Sequence, residues 1–341
     1  MSVGSFSTSN ALTKKAWEEK LFRDMPKSSY FGQRFMGSDQ NSLVQTTSKV
    51  EKEKGDKVTF GIRMRLTGAG QTGEGTLEGN EEDLSTFDYS ISLEQYRHAV
   101  RYKAKLSAKR AMFEISSEAV QAIKDWGAEK IDQLLFDALL DTPTKIFYST
   151  SSGITATAVA ATAKSALTTA DSKLTPSMIS ALRVWALTGG NYQQTPVRPI
   201  KVEGGEYLVL LVHPDVMFDL KQNSVFNAAR QYAQDRGKDN PIFKNAVAIW
   251  DDVVIHESLK MPVGTDGGSG AVAWSKAAIM GAQSLVWAWG MKPEVIKKDF
   301  DYENEVGHSF GFIAKAGRPQ FNSKDYAAFS VYLARTNVSG L

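Results

Sequence analysis

The sequence predicts an α+β protein, in which strands and helices occur in separate runs along the chain. A ribbon of two alternating strands comes first, over Asp56–Leu106, and one long helix follows over Phe113–Leu140. Helices and strands are then mixed, and the chain from Ala246 onward is mostly strands. This order indicates an α+β fold, because α/β proteins alternate βαβ units along the whole chain.

The composition is that of an ordinary globular protein. The chain has 341 residues, of which 42% are hydrophobic and 23% are charged, so it is long enough for two domains with cores. Its 40 basic and 38 acidic residues give a formal net charge of +2, which predicts no general attraction to nucleic acid or to an anionic membrane. The absence of cysteine excludes disulfides, thiol catalysis and Cys-ligated metal.

The sequence predicts neither a secretion signal nor a membrane span. Met1–Leu12 is rich in Ser, Thr and Asn and lacks the basic and apolar parts of a signal peptide. The longest uncharged run, Ala277–Met291, is shorter than the ~20 residues of a membrane-spanning helix and is predicted to be buried sheet. We therefore expect a product that starts in the cytoplasm and has no membrane partner.

Residues 1–50 are predicted to form an N-terminal arm. A short amphipathic helix ends at Pro26, and a polar segment with the aromatic residues Tyr30, Phe31 and Phe35 follows it. These aromatic side chains need a surface to cover them. Packing on the chain's own domain and packing on a partner are both open for this segment.

Both strands of the ribbon Asp56–Leu106 have one apolar and one polar face. Apolar residues occupy every second position over Lys57–Leu66, which is the period of a strand with two unlike faces. The return strand alternates in the same way over Phe87–Leu93. Its parity then changes, which predicts a β-bulge near Glu94 and Gln95.

A two-stranded ribbon of this kind is unstable by itself in water. Five exposed apolar side chains on the first strand would forgo roughly 8 to 15 kcal/mol of burial free energy, as much as the stability of a typical domain. The loop at the tip, Thr67–Asp83, contains five glycines, and a loop of this length usually has a function. We predict that an adjacent copy of the chain covers the ribbon; folding back on the chain's own body is the alternative. The predicted contact residues between copies are Val58, Phe60, Ile62, Met64, Leu66, Leu77, Tyr89 and Ile91.

The long helix over Phe113–Leu140 is predicted from apolar residues three or four positions apart, and it ends before Pro143. At 1.5 Å per residue it would be about 42 Å long. The next segment, Thr144–Lys173, consists largely of small residues and is predicted to be a solvent-exposed connector.

A second body is predicted to begin near Thr175. Thr175 and Pro176 are the N-cap and first-turn signals of a helix that stops at Gly189. Tyr207–Val212 is apolar throughout and is predicted to be a central strand. Further helices are predicted from Pro214 and over Ser224–Arg236, and further strands over Val247–His256, Ala271–Gly281, Glu294–Tyr302, Phe310–Ala316 and Tyr326–Ala334.

Two motifs that could bind a ligand lack the context that their chemistry requires. Gly68–Gly73 matches G-x-G-x-x-G in letters, but acidic residues follow it, with no helical pattern, where a pyrophosphate would bind. Asp299 begins a run like a calcium loop, but Asn304 and Phe310 stand where glycine and glutamate are required. No catalytic residue, cofactor or metal ligand is predicted, and the four histidines are expected to be structural.

Eight short blocks of sequence occur in a specific order. They are Gly55–Phe60, Leu66–Gly70, Leu77–Glu82, Gln95–Val100, Asn240–Ala246, Trp250–His256, Lys298–Tyr302 and Phe310–Ile313. In this order they resemble blocks of the major capsid proteins of tailed phages of the podovirus type, and the similarity runs from about Trp17 to Arg335.

This resemblance implies the HK97-like fold, which has an N-terminal arm, an extended loop, a peripheral domain with a long spine helix, and an axial domain. The corresponding segments are 1–50 for the arm, 51–106 for the extended β-hairpin loop, 107–174 for the peripheral domain with its spine helix and connector, 175–281 for the axial domain and 282–341 for the return to the peripheral domain. The break at Lys315–Pro319 departs from the continuing strand that the family would have there.

The resemblance also implies a structural protein of the virion and no enzyme. Many copies would assemble in the host bacterium's cytoplasm into hexamers and pentamers of an icosahedral shell, which encloses double-stranded DNA without sequence-specific contact. Portal, scaffolding and decoration proteins are further expected partners. The near alternative is an encapsulin-like nanocompartment that encloses protein cargo. More distant alternatives are a nucleotide-dependent oxidoreductase, which rests on Gly68–Gly73 alone, and a cytoplasmic binding module, which predicts a monomer or small oligomer.

Overall fold

The computed structural model describes residues 29–48, 55–63, 66, 68, 70–73, 75–84, 86–103, 115–150, 153–168, 171–189, 196–202, 204–232, 248–268, 271–302 and 304–337. The helices are α1 (Tyr30–Arg34), α2 (Ile115–Leu140), α3 (Ala160–Ser165), α4 (Pro176–Thr188), α5 (Pro214–Gln222) and α6 (Ser224–Tyr232). The strands are β1 (Met36–Gly37), β2 (Val44–Thr47), β3 (Lys57–Arg63), β4 (Thr86–Ser92), β5 (Glu94–Lys103), β6 (Ile146–Thr150), β7 (Gly153–Thr157), β8 (Ile200–Val202), β9 (Gly205–Val212), β10 (Ala248–Trp250), β11 (Val253–Glu257), β12 (Val263–Gly267), β13 (Val272–Met280), β14 (Leu285–Phe300), β15 (Glu305–Gly317), β16 (Gln320–Phe321), β17 (Lys324–Asp325) and β18 (Ala328–Ala334).

A five-stranded sheet with the order β1-β2-β14-β15-β5 packs against the long helix α2. Apolar side chains from every second position of β14 and β15, including Trp287, Phe310 and Phe312, share one core with Ile131 and Leu135 of α2. Helix α2 therefore covers one side of this sheet, which we call the inner face. The side that points away from α2 is the outer face.

A nine-stranded sheet forms the second body, with β9 between β11 and β13 near its middle. Strand β9 is buried on both faces, because Val209 and Leu211 join the core around α2 while Leu208 and Leu210 join a second core beneath α4, α5 and α6. This two-sided burial explains why the part of the strand over Tyr207–Val212 is apolar throughout. The prediction of a central strand over Tyr207–Val212 is confirmed.

Mixed strands and helices of this kind confirm the predicted α+β class. The long helix is also confirmed, with bounds within two residues of those predicted. Helix α4 has the predicted signals: the hydroxyl of Thr175 accepts a hydrogen bond from the backbone N–H of Met178 at 3.3 Å, and Gly189 ends the helix with a φ of 67°. A positive φ favours glycine, because it lacks a Cβ.

The prediction of an exposed connector over Thr144–Lys173 is wrong. This segment contains β6, β7 and α3, and four residues of β6 are buried. Strand β6 pairs in parallel with β18, which lies about 180 residues later in the chain. Its apolar run is only three residues long and is surrounded by small residues, so its burial depends on a distant partner strand rather than on a local pattern.

The ribbon is shorter than the sequence predicts, because its second strand changes partner at Leu93. Strand β4 pairs with β3, but β5 pairs with β15 at the edge of the five-stranded sheet. The parity change lies where it is predicted, but the predicted β-bulge near Glu94 and Gln95 is wrong, because the chain passes here from one sheet to another. In the last third of the chain, β14 and β15 are longer than the predicted strands Glu294–Tyr302 and Phe310–Ala316.

The aromatic residues of the arm pack on the chain's own long helix. Phe31 and Phe35 are buried, and the rings of Phe31 and Phe136 lie 4.9 Å apart between centroids. The carboxylate of Asp132 accepts hydrogen bonds from the backbone N–H groups of Tyr30 (2.7 Å) and Phe31 (3.2 Å). The predicted amphipathic helix before Pro26 lies outside the described residues.

A buried arginine closes the C-terminal end of α2. The guanidinium of Arg318 donates hydrogen bonds to the backbone carbonyl oxygens of Leu139 (2.7 Å), Asp141 (2.7 Å) and Thr142 (2.8 Å), and it pairs with the carboxylate of Asp325 at 2.8 Å. A cation here satisfies carbonyls that have no partner within the helix and complements the helix dipole. The break predicted at Lys315–Pro319 is the end of β15, where the chain turns to bring in this side chain.

Two lysines are buried beside this junction. Burial lowers the pKa of Lys145 to about 8 and that of Lys276 to about 8. The ammonium of Lys276 donates to the carbonyl of Leu140, also at the end of α2. Asp325, which accepts from the backbone N–H of Thr144 at 2.7 Å, is the nearby countercharge.

The nine-stranded sheet takes strands from three of the predicted segments, 107–174, 175–281 and 282–341, through β6, β13 and β18. The predicted segments therefore do not correspond to the two large sheets. The division into arm, extended loop, peripheral domain and axial domain stays a prediction.

Replacing Arg318 with methionine is expected to lower the free energy of unfolding by about 3–5 kcal/mol, because it leaves Asp325 buried without its partner. Denaturant unfolding measures this change. The matched control is Arg183→Met, which removes the partner of Asp252 at 2.8 Å on the surface and is expected to cost about 0–1 kcal/mol. A loss below 1 kcal/mol for Arg318→Met would show that the junction contributes little.

Stability is expected to fall as the pH drops below about 6.5. His308 lies on β15 and faces the start of α2, and its Nε2 is 3.3 Å from the hydroxyl of Tyr102. Burial lowers the pKa of His308, and Lys297 acts in the same direction. The folded state then binds fewer protons than the unfolded state, so acid favours unfolding. Burial also lowers the pKa of His213.

The variant His308→Gln is expected to show a smaller decrease in unfolding free energy between pH 7 and pH 5 than the unmodified chain. Denaturant unfolding at several pH values gives this slope. His213→Gln is the matched comparison, and the double variant is expected to be flatter than either. An unchanged slope in His308→Gln would contradict the assignment.

Candidate functional site

The hairpin β3–β4 carries the predicted contact residues, and its alternation puts the apolar ones on one face. The cross-strand pairs are Val58 with Ile91, Phe60 with Tyr89, and Ile62 with Phe87. The opposite face is polar and exposed, and there the hydroxyls of Thr59 and Ser90 lie 2.8 Å apart in a hydrogen bond.

The base of the hairpin packs on the outer face of its own sheet. Val58 and Ile91 are 8% and 6% exposed, and they form one cluster with Val286 and Ala288 of β14. Gly317 makes the close approach possible, because a Cβ there would lie 2.8 Å from a methyl carbon of Ile91. The structure therefore places Val58 and Ile91, two of the predicted contacts between copies, in a contact within one chain.

Burial decreases from the base of the hairpin toward its tip. Phe60, Ile62 and Tyr89 are half-buried, and Phe60 and Tyr89 pack against the cluster at the base. Burial raises the pKa of Tyr89. These three side chains are only partly covered by their own chain, so some of their apolar surface is left for a neighbour.

The tip of the hairpin, residues 66–84, is exposed at every described position. Leu66, Leu77 and Leu84 are 56%, 64% and 58% exposed. Internal hydrogen bonds shape the loop, such as that from the backbone N–H of Gly68 to Glu82 at 2.6 Å. Of the predicted contacts, Leu66 and Leu77 are thus free for a partner, and Met64 lies outside the described residues.

The tip gives no support to a nucleotide site. Gly68, Gly70 and Gly73 lie in this exposed loop, and the next regular element among the described residues is strand β4. The helix N-terminus that would bind a pyrophosphate is therefore not provided by this part of the chain.

Beyond the hairpin base, half of the outer face is open. It is formed by outward residues of β14, β15 and β5, and every outward residue of β5 is exposed. Four basic side chains lie here in register with two glutamates, two glycines and an exposed isoleucine. They are Arg97, Arg101, Lys103 and Lys298, with Glu294, Glu305, Gly307, Gly311 and Ile296.

Two of these basic side chains lie over the ring of Phe300. The guanidinium carbon of Arg101 lies 4.2 Å and the ammonium of Lys298 5.1 Å from the centroid of the Phe300 ring. Arg101 also pairs with Glu305. Cations stacked on a ring keep their charge exposed while covering apolar surface.

Neither Leu84 nor these basic residues are among the contact residues predicted from the sequence. The arginines and lysine of β5 alternate with Tyr96, Val100 and Tyr102, and this pattern indicates a second strand with one apolar and one polar face. The sequence does not indicate that β15 is the partner of this strand.

Other kinds of site find no support in the described part of the chain. Nowhere within it do three or more His, Asp or Glu side chains approach closely enough to hold a metal ion. Asp299 lies near the end of β14, Asp301 lies in the turn that follows, and Glu305 begins β15. None of the described helices has both the length and the hydrophobicity needed to cross a membrane.

Comparisons with known proteins give consistent results. A family model described as phage capsid protein matches residues 5–334. The major capsid protein of Pseudomonas phage KPP25 is 27% identical, with 94% of this chain and 95% of that protein covered.

Solved structures show the same fold. The capsid of Ralstonia phage GP4 has a TM-score of 0.79 and 24% identity, covering 98% of this chain and 96% of that one. The capsid of cyanophage Pam1 has a TM-score of 0.68 and 20% identity, covering 91% and 93%. The HK97-like fold predicted from the resemblance is confirmed.

Replacing Ile91 with alanine is expected to speed hydrogen exchange of the β3 and β4 amides by at least about tenfold, because a buried Ile→Ala change costs about 2–5 kcal/mol. Leu84→Ala, at an exposed position, is the matched control and should leave these amides unchanged. Equal exchange in the two variants would show that the base is not anchored on its own sheet.

Proposed function

The chain belongs to the phage capsid protein family and is the major capsid protein of a tailed phage, and from this premise we propose that its copies form hexamers and pentamers of an icosahedral shell around double-stranded DNA. The relatives reported above are phage capsids and not encapsulins, which favours DNA over protein cargo. Assembly takes place in the cytoplasm of the host bacterium. The family is structural, and the proposed role requires no catalysis.

One observation carries the proposal: the hairpin is anchored at its base and uncovered at its tip. Val58 and Ile91 are buried on their own sheet, whereas Leu66, Leu77 and Leu84 are more than half exposed. Burying a leucine contributes about 1.5–3 kcal/mol, so three such residues on one loop favour a partner surface. In a shell that surface belongs to a neighbouring copy.

The segments predicted from the resemblance fit this role. Segment 51–106 is the extended loop, and helix α2 is the spine of the peripheral domain, with 107–174 and 282–341 assigned to it. Segment 175–281 is the axial domain near the centre of each capsomer, and 1–50 is the arm. Portal, scaffolding and decoration proteins are the further partners, and DNA is contacted without sequence specificity.

The double variant Leu77→Asp/Leu84→Asp is expected to give folded subunits and at least about tenfold fewer particles, because charges replace apolar contacts at an interface. Negative-stain microscopy and sedimentation of the expressed protein measure assembly. Circular dichroism checks that the subunits are folded.

The conservative variant Leu77→Met/Leu84→Met is the matched control and is expected to assemble, because it keeps apolar side chains of similar size. Normal particles from the aspartate variant would remove the tip from the proposed interface. An unmodified chain that remains a monomer would contradict the shell itself.

A further inference from the structure

A cavity of about 890 Å³ lies beside the C-terminal half of α2. Its lining comes from α2, from the start of β5, from the end of β15 and from the turn between β11 and β12. Pockets that hold a ligand typically have volumes of about 300–1,000 Å³. This cavity is therefore large enough to hold several bulky side chains at once.

One part of the lining is apolar and only partly covered. It includes Leu134, Ala138 and Leu140 of α2, which are all half-buried, and the ring of Tyr96 on β5. Removing apolar surface from water is favourable. The cavity therefore favours an occupant that brings apolar side chains of its own.

The rim of the cavity has charges of both signs. Asp137 and Asp141 are exposed there on α2 and just after it, and Lys260 is exposed on the opposite turn. The last turn of α2 contains no basic residue, and the negative end of the helix dipole adds to the two carboxylates. An occupant therefore needs basic side chains at the end of α2 and can also carry acidic ones near Lys260.

The first described residues of the chain lie at the edge of this cavity. The backbone N–H of Tyr30 donates to Asp132, and the ring of Tyr30 lies 5.9 Å from that of Phe136, which also lines the cavity. Burial raises the pKa of Asp132, and the charge of Lys260 acts in the opposite direction, so Lys260 is close to this carboxylate. The chain before Ser29 therefore leaves from a point that Phe136 and Lys260 connect to the cavity.

The chain before Ser29 has the chemistry that the cavity favours. The predicted amphipathic helix includes Trp17, Leu21 and Phe22, and residues 1–28 include five basic and three acidic side chains. The six residues from Arg23 to Ser28 can span about 20 Å when extended. This length is sufficient to cross a helix, which has a diameter of about 10–12 Å with its side chains.

We propose that the cavity is the docking site for residues 12–22 of the same chain. Trp17, Leu21 and Phe22 pack against Leu134 and Leu140, and basic side chains of the segment lie near the carboxylates at the end of α2. Aromatic side chains of this size bury about 150–250 Å² each. The inference goes beyond the proposed shell and does not depend on it, because it concerns a contact within one chain.

A short connection favours the chain's own segment over that of another copy. Docking through a short flexible linker is an intramolecular event, with an effective concentration on the order of millimolar. A segment from a second copy would have to compete at the much lower concentration of the protein in solution. The first half of the arm therefore packs on the same subunit as Phe31 and Phe35, which are buried on it.

Thiol labelling tests the proposal directly, because the chain has no cysteine of its own. A single Ala138→Cys thiol in the cavity is expected to react with a maleimide at least about tenfold faster when Trp17→Asp/Phe22→Asp is added, because the segment no longer covers it. The conservative pair Trp17→Phe/Phe22→Leu should keep the slow rate. Val225→Cys, 59% exposed on α6, is the control and should react equally in all three backgrounds.

Crosslinking identifies which copy supplies the segment. Ala16→Cys/Ala138→Cys, treated with a short bifunctional maleimide, is expected to give an internally crosslinked monomer on a denaturing gel. Ala16→Cys/Val225→Cys is the matched control and should give none. Circular dichroism checks that each variant is folded.

Every other outcome overturns the proposal. A ladder of crosslinked dimers and larger species would assign the cavity to the segment of a neighbouring copy. An equal labelling rate of Ala138→Cys with and without the two aspartates, or a lack of any crosslink, would show that residues 12–22 lie elsewhere. These results are independent of particle formation, so failure of the shell and failure of this contact are distinguishable.

Discussion

The fold depends on one buried guanidinium. Arg318 at the end of β15 binds three carbonyl oxygens at the end of α2 and the carboxylate of Asp325, which in turn accepts from the backbone just before β6. One side chain thus connects the five-stranded sheet, the long helix and the start of the nine-stranded sheet. Because the side chains of Arg318 and Asp325 are buried, leaving either one without its partner would cost free energy. The relative position of the two sheets is therefore fixed by polar geometry as well as by the shared apolar core.

The five-stranded sheet has more surface than the described elements of the chain cover. Helix α2 packs on the inner face, and the hairpin base packs on Val286 and Ala288 of the outer face. A sheet of this size is stable with one solvated face, so the subunit can fold before it assembles. The leucines of the tip stay exposed in the single chain. In the proposed shell, folding therefore uses the base of the hairpin and assembly uses its tip.

Local sequence patterns predict where helices and strands lie, but the contacts of these elements depend on partners far away in the sequence. The 3.6-residue period located α2, and the cap signals located α4, because helices satisfy their hydrogen bonds within the segment. The strand β6 was missed because its burial is set by β18, far away in sequence. In the same way, alternation in β3 and β4 predicted an apolar face but not which body covers it. Val58 and Ile91 pack on the chain's own sheet. The open basic face on β5 depends on the pairing of β5 with β15, which no local sequence pattern indicates.

The glycine-rich composition of the tip affects how accurately the proposed shell can assemble. Ordering a flexible loop costs about 1–2 kcal/mol per residue, and residues 66–84 include five glycines, which lose the most freedom. In the proposed shell, this entropy cost offsets part of the free energy gained when a tip packs on a neighbouring copy, so each tip contact is weak by itself. A copy that joins that shell in the wrong orientation would make few contacts and dissociate, whereas a correctly placed copy would be held by several neighbours together. Weak individual contacts would in this way let the proposed shell correct errors of assembly.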